Sequence, residues 1–158
     1  MHRNESRVEL KPGDPAPDFS LAGSDGRTYR LKDLAGRPVV VAWFPKAFTG
    51  GCTAECKSLA SSGEALQRLD ASYFAASVDT VDANTRFAAS LGIGYPILSD
   101  PTKDVARAYG VLSASGFASR WTFYIGADGR ILEIDKKVSP ASHGRDVAAR
   151  LNELRVQR

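Results

Sequence analysis

The sequence contains no apolar segment long enough to cross a bilayer, and residues 1–11 lack the apolar core of a secretory signal. We therefore expect a cytoplasmic protein without membrane association. Charge of one sign is not in excess either, since 21 Lys plus Arg stand against 18 Asp plus Glu and the basic residues are scattered singly. Because nucleic-acid-binding surfaces need clustered basic residues, no nucleic-acid partner is predicted.

Cysteine is scarce: Cys52 and Cys56 are the only two in the chain. Two cysteines four positions apart cannot form the disulfide framework of a small secreted domain. In a reducing compartment, such a close pair is more often catalytic or metal-binding. A structural disulfide is the weaker interpretation.

Repeats, low-complexity tracts and linkers are absent as well. With 158 residues and 43% hydrophobic content, the chain matches one globular domain over residues 1–158, in which residues 1–11 are expected to be flexible. Turn residues at 24–26 separate two short apolar runs and predict an N-terminal hairpin over residues 19–31.

The remaining pattern alternates strands and helices. It predicts strands at 39–44, 73–78 and 96–98, helices at 52–69, 82–91 and 104–109, a hairpin of strands 121–125 and 131–134, and a last helix at 141–156. A parallel βαβ unit followed by an antiparallel hairpin implies an α/β fold with a mixed central sheet and helices on both faces. The thioredoxin-like fold has this order, here with the hairpin as an N-terminal extension.

Cys52 follows a buried strand and a loop, at the predicted start of a helix. There the unpaired N–H groups and the helix dipole favour the thiolate, which is the reactive form of cysteine. Thr49 offers a hydroxyl, Gly50 and Gly51 allow a small ligand to approach the backbone, and Pro45 would shield the pocket from water. The alternative is that Cys52 is a buried, inert thiol.

Cys56 shares a helix face with Cys52, which places their Cβ atoms about 5–6 Å apart. A disulfide requires about 3.5–4.5 Å, so bridging the two would distort the first turns of the helix. Cys56 is then either a resolving thiol whose disulfide is easily reduced or a core residue without a redox role.

The segment Pro45-x-x-x-Thr49-x-x-Cys52 resembles the active-site motif of the peroxiredoxins, which are thiol peroxidases. The resemblance extends to residues 13–19, 43–46, 99–101 and 120–125. Thr53-Ala54-Glu55 after the first cysteine is similar to the PrxQ subgroup, also called bacterioferritin-comigratory-protein-like.

This resemblance implies that Cys52 is the peroxidatic thiolate, Thr49 the hydrogen-bonding hydroxyl, Pro45 the shield, Arg120 the cation beside the sulfur, and Cys56 the resolving thiol. It further implies peroxide substrates, a thioredoxin or similar dithiol as reductant, no cofactor or metal, and a monomer or weak homodimer. An arginine at a strand start is otherwise most simply a solvated charge.

Two features depart from the subgroup. Its helical resolving cysteine usually lies five positions after the first, whereas Cys56 lies four after Cys52. Gly50-Gly51 replaces the usual Pro-Gly, which should loosen the loop because glycine has more conformational freedom. A one-cysteine mechanism, with Cys56 not resolving, therefore stays open. Glu55, in the first turn of the helix, is interpreted only as favouring the helix dipole.

Two other functions are compatible with paired cysteines on a thioredoxin-like fold. Copper-handling proteins of the Sco type also use Cys-x-x-x-Cys with a distant histidine, but His143 lies beyond the late hairpin and is expected to be a surface residue. A thioredoxin-like reductant would need Cys-x-x-Cys and a proline before the late strand, and residues 119–122 contain none.

Overall fold

A computed structural model describes residues 9–156 and shows a mixed seven-stranded sheet with helices packed on it. The strand order is β2-β1-β5-β4-β3-β6-β7. The strands are β1 Ser20–Gly23, β2 Thr28–Arg30, β3 Val39–Trp43, β4 Ser72–Ser77, β5 Ile97–Ser99, β6 Thr122–Ile125 and β7 Ile131–Asp135. The predicted α/β class is confirmed. Most of the stretch expected to be flexible, residues 1–11, lies outside the described residues.

Pairing in the sheet follows the predicted topology. β3, β4 and β5 are parallel neighbours, and β6 and β7 add to β3 as an antiparallel hairpin. The N-terminal hairpin β1–β2 joins the opposite side of the sheet because β1 pairs antiparallel with β5. It thus extends the central sheet.

Within residues 9–156, five α-helices accompany the sheet: α1 Gly50–Ser61, α2 Gly63–Arg68, α3 Val81–Leu91, α4 Asp104–Ala108 and α5 His143–Val156. Two short 3-10 helices lie at Leu31–Leu34 and Pro140–Ser142. The prediction of one helix over residues 52–69 was wrong, because a break at Ser62 divides it into α1 and α2. Ser61, Ser62 and Gly63 form helices weakly, which explains a break at this point. No helix within residues 9–156 is long and apolar enough to span a bilayer.

The two faces of the sheet carry separate hydrophobic cores. Along β3, Val39 and Val41 point to the face that includes Tyr109, whereas Val40 and Ala42 point to the face covered by α1 and α5. All five residues of β3 are buried, as expected for a central strand with helices on both sides. The burial of β3 on both faces therefore fixes the position of the loop that follows its carboxyl end.

The N-terminus of α5 packs tightly against α1. Gly144 N donates a hydrogen bond of 2.8 Å to Ser58 Oγ. A Cβ atom at position 144 would overlap the carbonyl oxygen of Ser58 and lie 2.7 Å from Ser62 Oγ. Only glycine permits this approach of the two helices, which explains its place in the first turn of α5 despite its low helix propensity.

We predict that Gly144→Ala destabilises the protein, because the added methyl group must push α5 away from α1. Overpacking of this kind costs about 2 kcal/mol, which lowers the melting temperature by about 4–8 °C in a domain of this size. Gly94→Ala is the matched control, since a Cβ atom there meets nothing within 4 Å. Equal melting temperatures for the two variants in differential scanning calorimetry would contradict the prediction.

Candidate active site

Cys52 is the third residue of α1, and its side chain is 1% exposed. The helix begins at Gly50, with Thr49 in the N-cap position. Gly50 and Gly51 were expected to form a loop, but they belong to the first turn. The N–H groups of this turn have no partners within the helix, so they and the helix dipole favour negative charge at the Cys52 sulfur.

The loop between β3 and α1 is held by its own polar contacts. Ala47 N donates to Asp79 Oδ2 at 2.9 Å, which ties the loop to the segment that follows β4. Thr49 Oγ1 donates to Lys46 O at 2.8 Å and caps no helix N–H group. Pro45 is half-buried and Thr49 is exposed. The Thr49 hydroxyl oxygen thus keeps its capacity to accept a hydrogen bond.

Arg120 reaches the sulfur from the segment just before β6, the antiparallel neighbour of β3. Its Nη1 lies 3.6 Å from Cys52 Sγ and 2.7 Å from Glu55 Oε1. Gly51 makes room for the guanidinium, because a Cβ atom there would lie 2.9 Å from Arg120 Nη2. One guanidinium therefore contacts both the thiol and a carboxylate, which suits its several fixed donors.

Glu55 lies in the second turn of α1 and not in the first, contrary to expectation, and it does more than favour the helix dipole. Its side chain is 1% exposed, and its Oε1 accepts the hydrogen bond from Arg120. Burial raises the pKa of Glu55 to about 7, although the nearby charge of Arg120 opposes the shift. Glu55 is one turn after Cys52 on α1, so the same face of the helix presents both groups to Arg120.

His143 is not a surface residue, contrary to the sequence-based expectation. It is 2% exposed, and its Nε2 lies 3.9 Å from Glu55 Oε2. Burial lowers the pKa of His143 to about 4; the charge of Asp146 opposes this shift, and the charge of Arg120 adds to it. The imidazole is therefore neutral at pH 7. It is placed here by the close packing of α5 on α1.

Cys56 is a free, fully buried thiol. Burial raises its pKa to about 12, with the charge of Glu55 as a second cause. The Tyr95 hydroxyl donates to Cys56 O at 2.7 Å and holds this part of α1 in place. In this conformation Cys56 is a protonated thiol within the core.

Residues 9–156 contain no group of three His, Cys, Asp or Glu side chains placed to hold a metal ion. The positive guanidinium of Arg120 is also unfavourable for a cation at Cys52. The arrangement suits a different chemistry, in which an anionic sulfur attacks a small electrophile and a fixed cation stabilises the charge that develops.

The sequence-based interpretation gives no role at the site to four residues around the cysteines: Glu55, Asp79, Tyr95 and His143. Signals existed for three of them. Glu55 lies one turn after Cys52, Asp79 follows β4 at the edge where the parallel strands β3 and β4 end, and His143 precedes a glycine in the first turn of a helix. The sequence around Tyr95 gives no such signal.

Known proteins are similar to this chain in sequence. Residues 12–134 match the AhpC/TSA family. The chain is 32% identical over 141 residues to the peroxiredoxin Bcp of Escherichia coli strain K12, which covers 85% of this chain and 90% of that protein.

Solved structures show the same fold. The peroxidoxin BcpB of Mycobacterium tuberculosis superposes with a TM-score of 0.83 at 32% identity, over 95% of this chain and 99% of that one. The bacterioferritin comigratory protein of Xanthomonas campestris, studied for its alkyl peroxide reduction activity, gives a TM-score of 0.82 at 26% identity, over 93% and 98% of the two chains. The chain therefore belongs to the AhpC/TSA family and is a peroxiredoxin of the Bcp/PrxQ kind.

Proposed function

We propose that this thiol peroxidase reduces hydrogen peroxide and organic hydroperoxides through Cys52. The observation that carries the proposal is the position of Arg120 Nη1, 3.6 Å from a sulfur at a helix N-terminus. The alkyl peroxide reduction of the Xanthomonas relative supports an organic substrate. Phe48, next to Thr49 in the loop, is 59% exposed and offers an apolar surface to an alkyl group.

In the first step, the Cys52 thiolate attacks one peroxide oxygen and the O–O bond breaks. Sulfur is oxidised to a sulfenic acid, the peroxide is reduced, and the leaving oxygen takes up a proton as water or alcohol. Arg120 stabilises the charge that moves from sulfur to the leaving oxygen. We assign to Thr49 a hydrogen bond with the peroxide, and to Pro45 the exclusion of water.

In the second step, the Cys56 sulfur attacks the sulfenic sulfur of Cys52, which expels water and leaves a disulfide. Helical spacing keeps the two Cβ atoms too far apart for this bond, so the first turns of α1 must unwind. The burial of Cys56 leads to the same conclusion. A thioredoxin or similar dithiol then reduces the disulfide. The alternative is a one-cysteine cycle in which an external thiol reacts with Cys52 directly.

We further propose that the enzyme is a single domain over residues 1–158, acts in the cytoplasm and is a monomer or weak homodimer. It needs no metal or cofactor in this scheme, because the two thiols supply the two electrons that reduce the peroxide and the external dithiol returns them by reducing the disulfide. A Sco-like copper function has no observation in its favour, since His143 Nε2 faces Glu55 Oε2 at 3.9 Å and the cation of Arg120 lies beside Cys52.

We predict that Cys52→Ser abolishes peroxide consumption, because a serine hydroxyl is neither ionised at neutral pH nor oxidised by peroxide. The measurement is NADPH oxidation coupled through thioredoxin reductase and thioredoxin. Unchanged circular dichroism would show that the variant is folded. Turnover of hydrogen peroxide by Cys52→Ser at the wild-type rate would refute the assignment.

Replacing Cys56 separates the two possible cycles. We predict that Cys56→Ser consumes about one equivalent of peroxide in a burst and then fails to turn over with thioredoxin, since its sulfenic acid finds no internal thiol. Intact-mass analysis of the oxidised wild type should show the loss of two hydrogens expected for a Cys52–Cys56 bond. Sustained thioredoxin-dependent turnover by Cys56→Ser would instead support the one-cysteine cycle.

Tyr95→Phe should accelerate disulfide formation. The substitution removes the hydrogen bond that holds Cys56 O, worth about 1 kcal/mol, so unwinding of α1 and the step that depends on it should become about fivefold faster. Rapid-quench mass spectrometry after one equivalent of peroxide measures this rate.

Tyr73→Phe is the matched control for this experiment. The Tyr73 ring packs on Tyr95, with 5.4 Å between centroids, but of the two hydroxyl groups it is that of Tyr95 that donates to Cys56 O. An equal acceleration in both variants would indicate a general loosening of the core and would contradict a specific role of the Tyr95 hydroxyl.

A further inference from the structure

Two buried polar atoms face each other behind the active site. Glu55 Oε2 and His143 Nε2 lie 3.9 Å apart, and neither has a hydrogen-bond partner among the described residues. Both side chains are at least 98% buried. Unpaired polar atoms at such sites are costly, so their placement against each other calls for a physical reason.

The reason concerns the orientation of the Glu55 carboxyl group. The last side-chain torsion of glutamate is broad, and the single contact of Oε1 with Arg120 does not fix the plane of the group. A hydrogen bond to Oε2 from a second group would restrict this rotation, and His143 Nε2 is the polar atom that faces it. Because Arg120 Nη1 is shared between Glu55 Oε1 and Cys52 Sγ, the orientation of the carboxyl group also determines where the guanidinium lies.

His143 is held firmly enough to serve this purpose. It is the first residue of α5, directly before Gly144, whose N–H group bonds to Ser58 Oγ on α1. Glu55 and Ser58 are three residues apart and lie on the same face of α1. The packing that brings Gly144 against Ser58 therefore brings the imidazole to Glu55.

The charged groups around the pair come from three segments. Arg120 approaches from the segment before β6, Cys52 and Cys56 lie beside Glu55 on α1, and Asp146 follows His143 on α5. The neutral imidazole carries one N–H donor and one acceptor nitrogen. It can thus form a hydrogen bond with Glu55 in either protonation state of the carboxyl group, directly after a small approach or through one water molecule.

We propose that His143 is a positioning residue of the peroxidase reaction: its Nε2 fixes the Glu55 carboxyl group and thereby keeps Arg120 Nη1 on the Cys52 sulfur. The inference rests on the proposed function of Cys52 as the reacting thiol. His143 itself contacts no substrate. It acts through Glu55 and Arg120.

The test uses the Cys56→Ser background, in which Cys52 is the only thiol. Two quantities are measured: the pH at which half of the Cys52 side chains react with iodoacetamide, and the rate constant of the peroxide burst. His143→Leu should raise the pH midpoint by about 0.5–1 unit and slow the burst about three- to tenfold, because the guanidinium loses its fixed place. His143→Gln, whose amide reaches a similar position, should restore at least half of both changes.

Val147→Ala is the matched control for loss of packing. Val147 lies one turn after His143 on α5 and is 1% exposed. It belongs to the same hydrophobic cluster as Cys52 and Cys56, but its side chain has no polar atom that could bind Glu55. It should lower the melting temperature and leave the Cys52 pH midpoint within about 0.2 units. If Val147→Ala shifts the midpoint as much as His143→Leu does, the effect is structural and the proposal is wrong.

A double-mutant cycle tests the route through Glu55. If His143 acts on Cys52 only by way of Glu55, adding His143→Leu to Glu55→Gln should produce little further change in the pH midpoint. Full additivity of the two changes would overturn the proposed route. Should His143→Leu fail to fold, His143→Asn replaces it, because the shorter amide does not reach Glu55 Oε2.

The two readouts separate this proposal from the proposed function. Alkylation of Cys52 reports the environment of the sulfur and requires no peroxide chemistry. A wild-type protein without a peroxide burst would refute the peroxidase assignment, while the alkylation series would still decide the role of His143. An unchanged alkylation midpoint in His143→Leu would overturn the role of His143 even in an active peroxidase.

Discussion

A carboxyl group within α1, 1% exposed, imposes the main constraint on this structure. A buried charge of this kind is stable only with a partner, and the partner of Glu55 is Arg120, 65 residues further along the chain. Their 2.7 Å contact joins α1 to the segment before β6. Because the same nitrogen of Arg120 contacts Cys52, the interaction that satisfies the buried carboxyl group also places a cation on the sulfur. Stability and reactivity therefore depend on one side-chain arrangement.

The two cysteines impose opposite demands on α1. Cys52 gains its anionic character from an intact helix N-terminus, whereas Cys56 can reach it only if that part of the helix opens. Different side chains hold α1 at Cys52, at Cys56 and beyond Cys56. Arg120 contacts Cys52 in the first turn and Glu55 in the second, Tyr95 holds the carbonyl of Cys56, and Gly144 holds Ser58 further along. Opening the helix beyond Cys56 would cost contacts with the core, which favours a limited unwinding.

The order of strands and helices was predictable because the spacing of apolar residues within each segment is enough to indicate its secondary structure. The apolar run after residue 38 became β3, and a loop and a helix follow it as expected, although the helix begins at Gly50, two residues earlier than predicted. Contacts between residues far apart in the sequence were not predictable in the same way. Glu55 fits the first turn of any helix, and His143 fits an exposed helix start, so composition gave no reason to bury them. Their burial follows from partners that only the folded chain brings together. The roles given to Pro45 and Thr49 stay predictions, whereas the place of Arg120 beside Cys52 is a matter of geometry.

Proton binding links the two states of α1. Burial raises the pKa of Glu55 from an ordinary value of 4.5 to about 7, so the packed helix binds a proton that an opened, solvated Glu55 releases between these values. The packed arrangement is thus most favoured below about pH 4.5 and loses this contribution as the pH rises through 7. Arg120 opposes the shift, which limits the loss. His143 acts in the opposite direction: its lowered pKa, about 4, means that the packed helix gains from the neutral imidazole above pH 6.5 and loses that gain as the pH falls. The two buried groups therefore destabilise the packed helix at opposite ends of the pH range, and between about pH 4.5 and 6.5 their opposite pH dependences partly cancel.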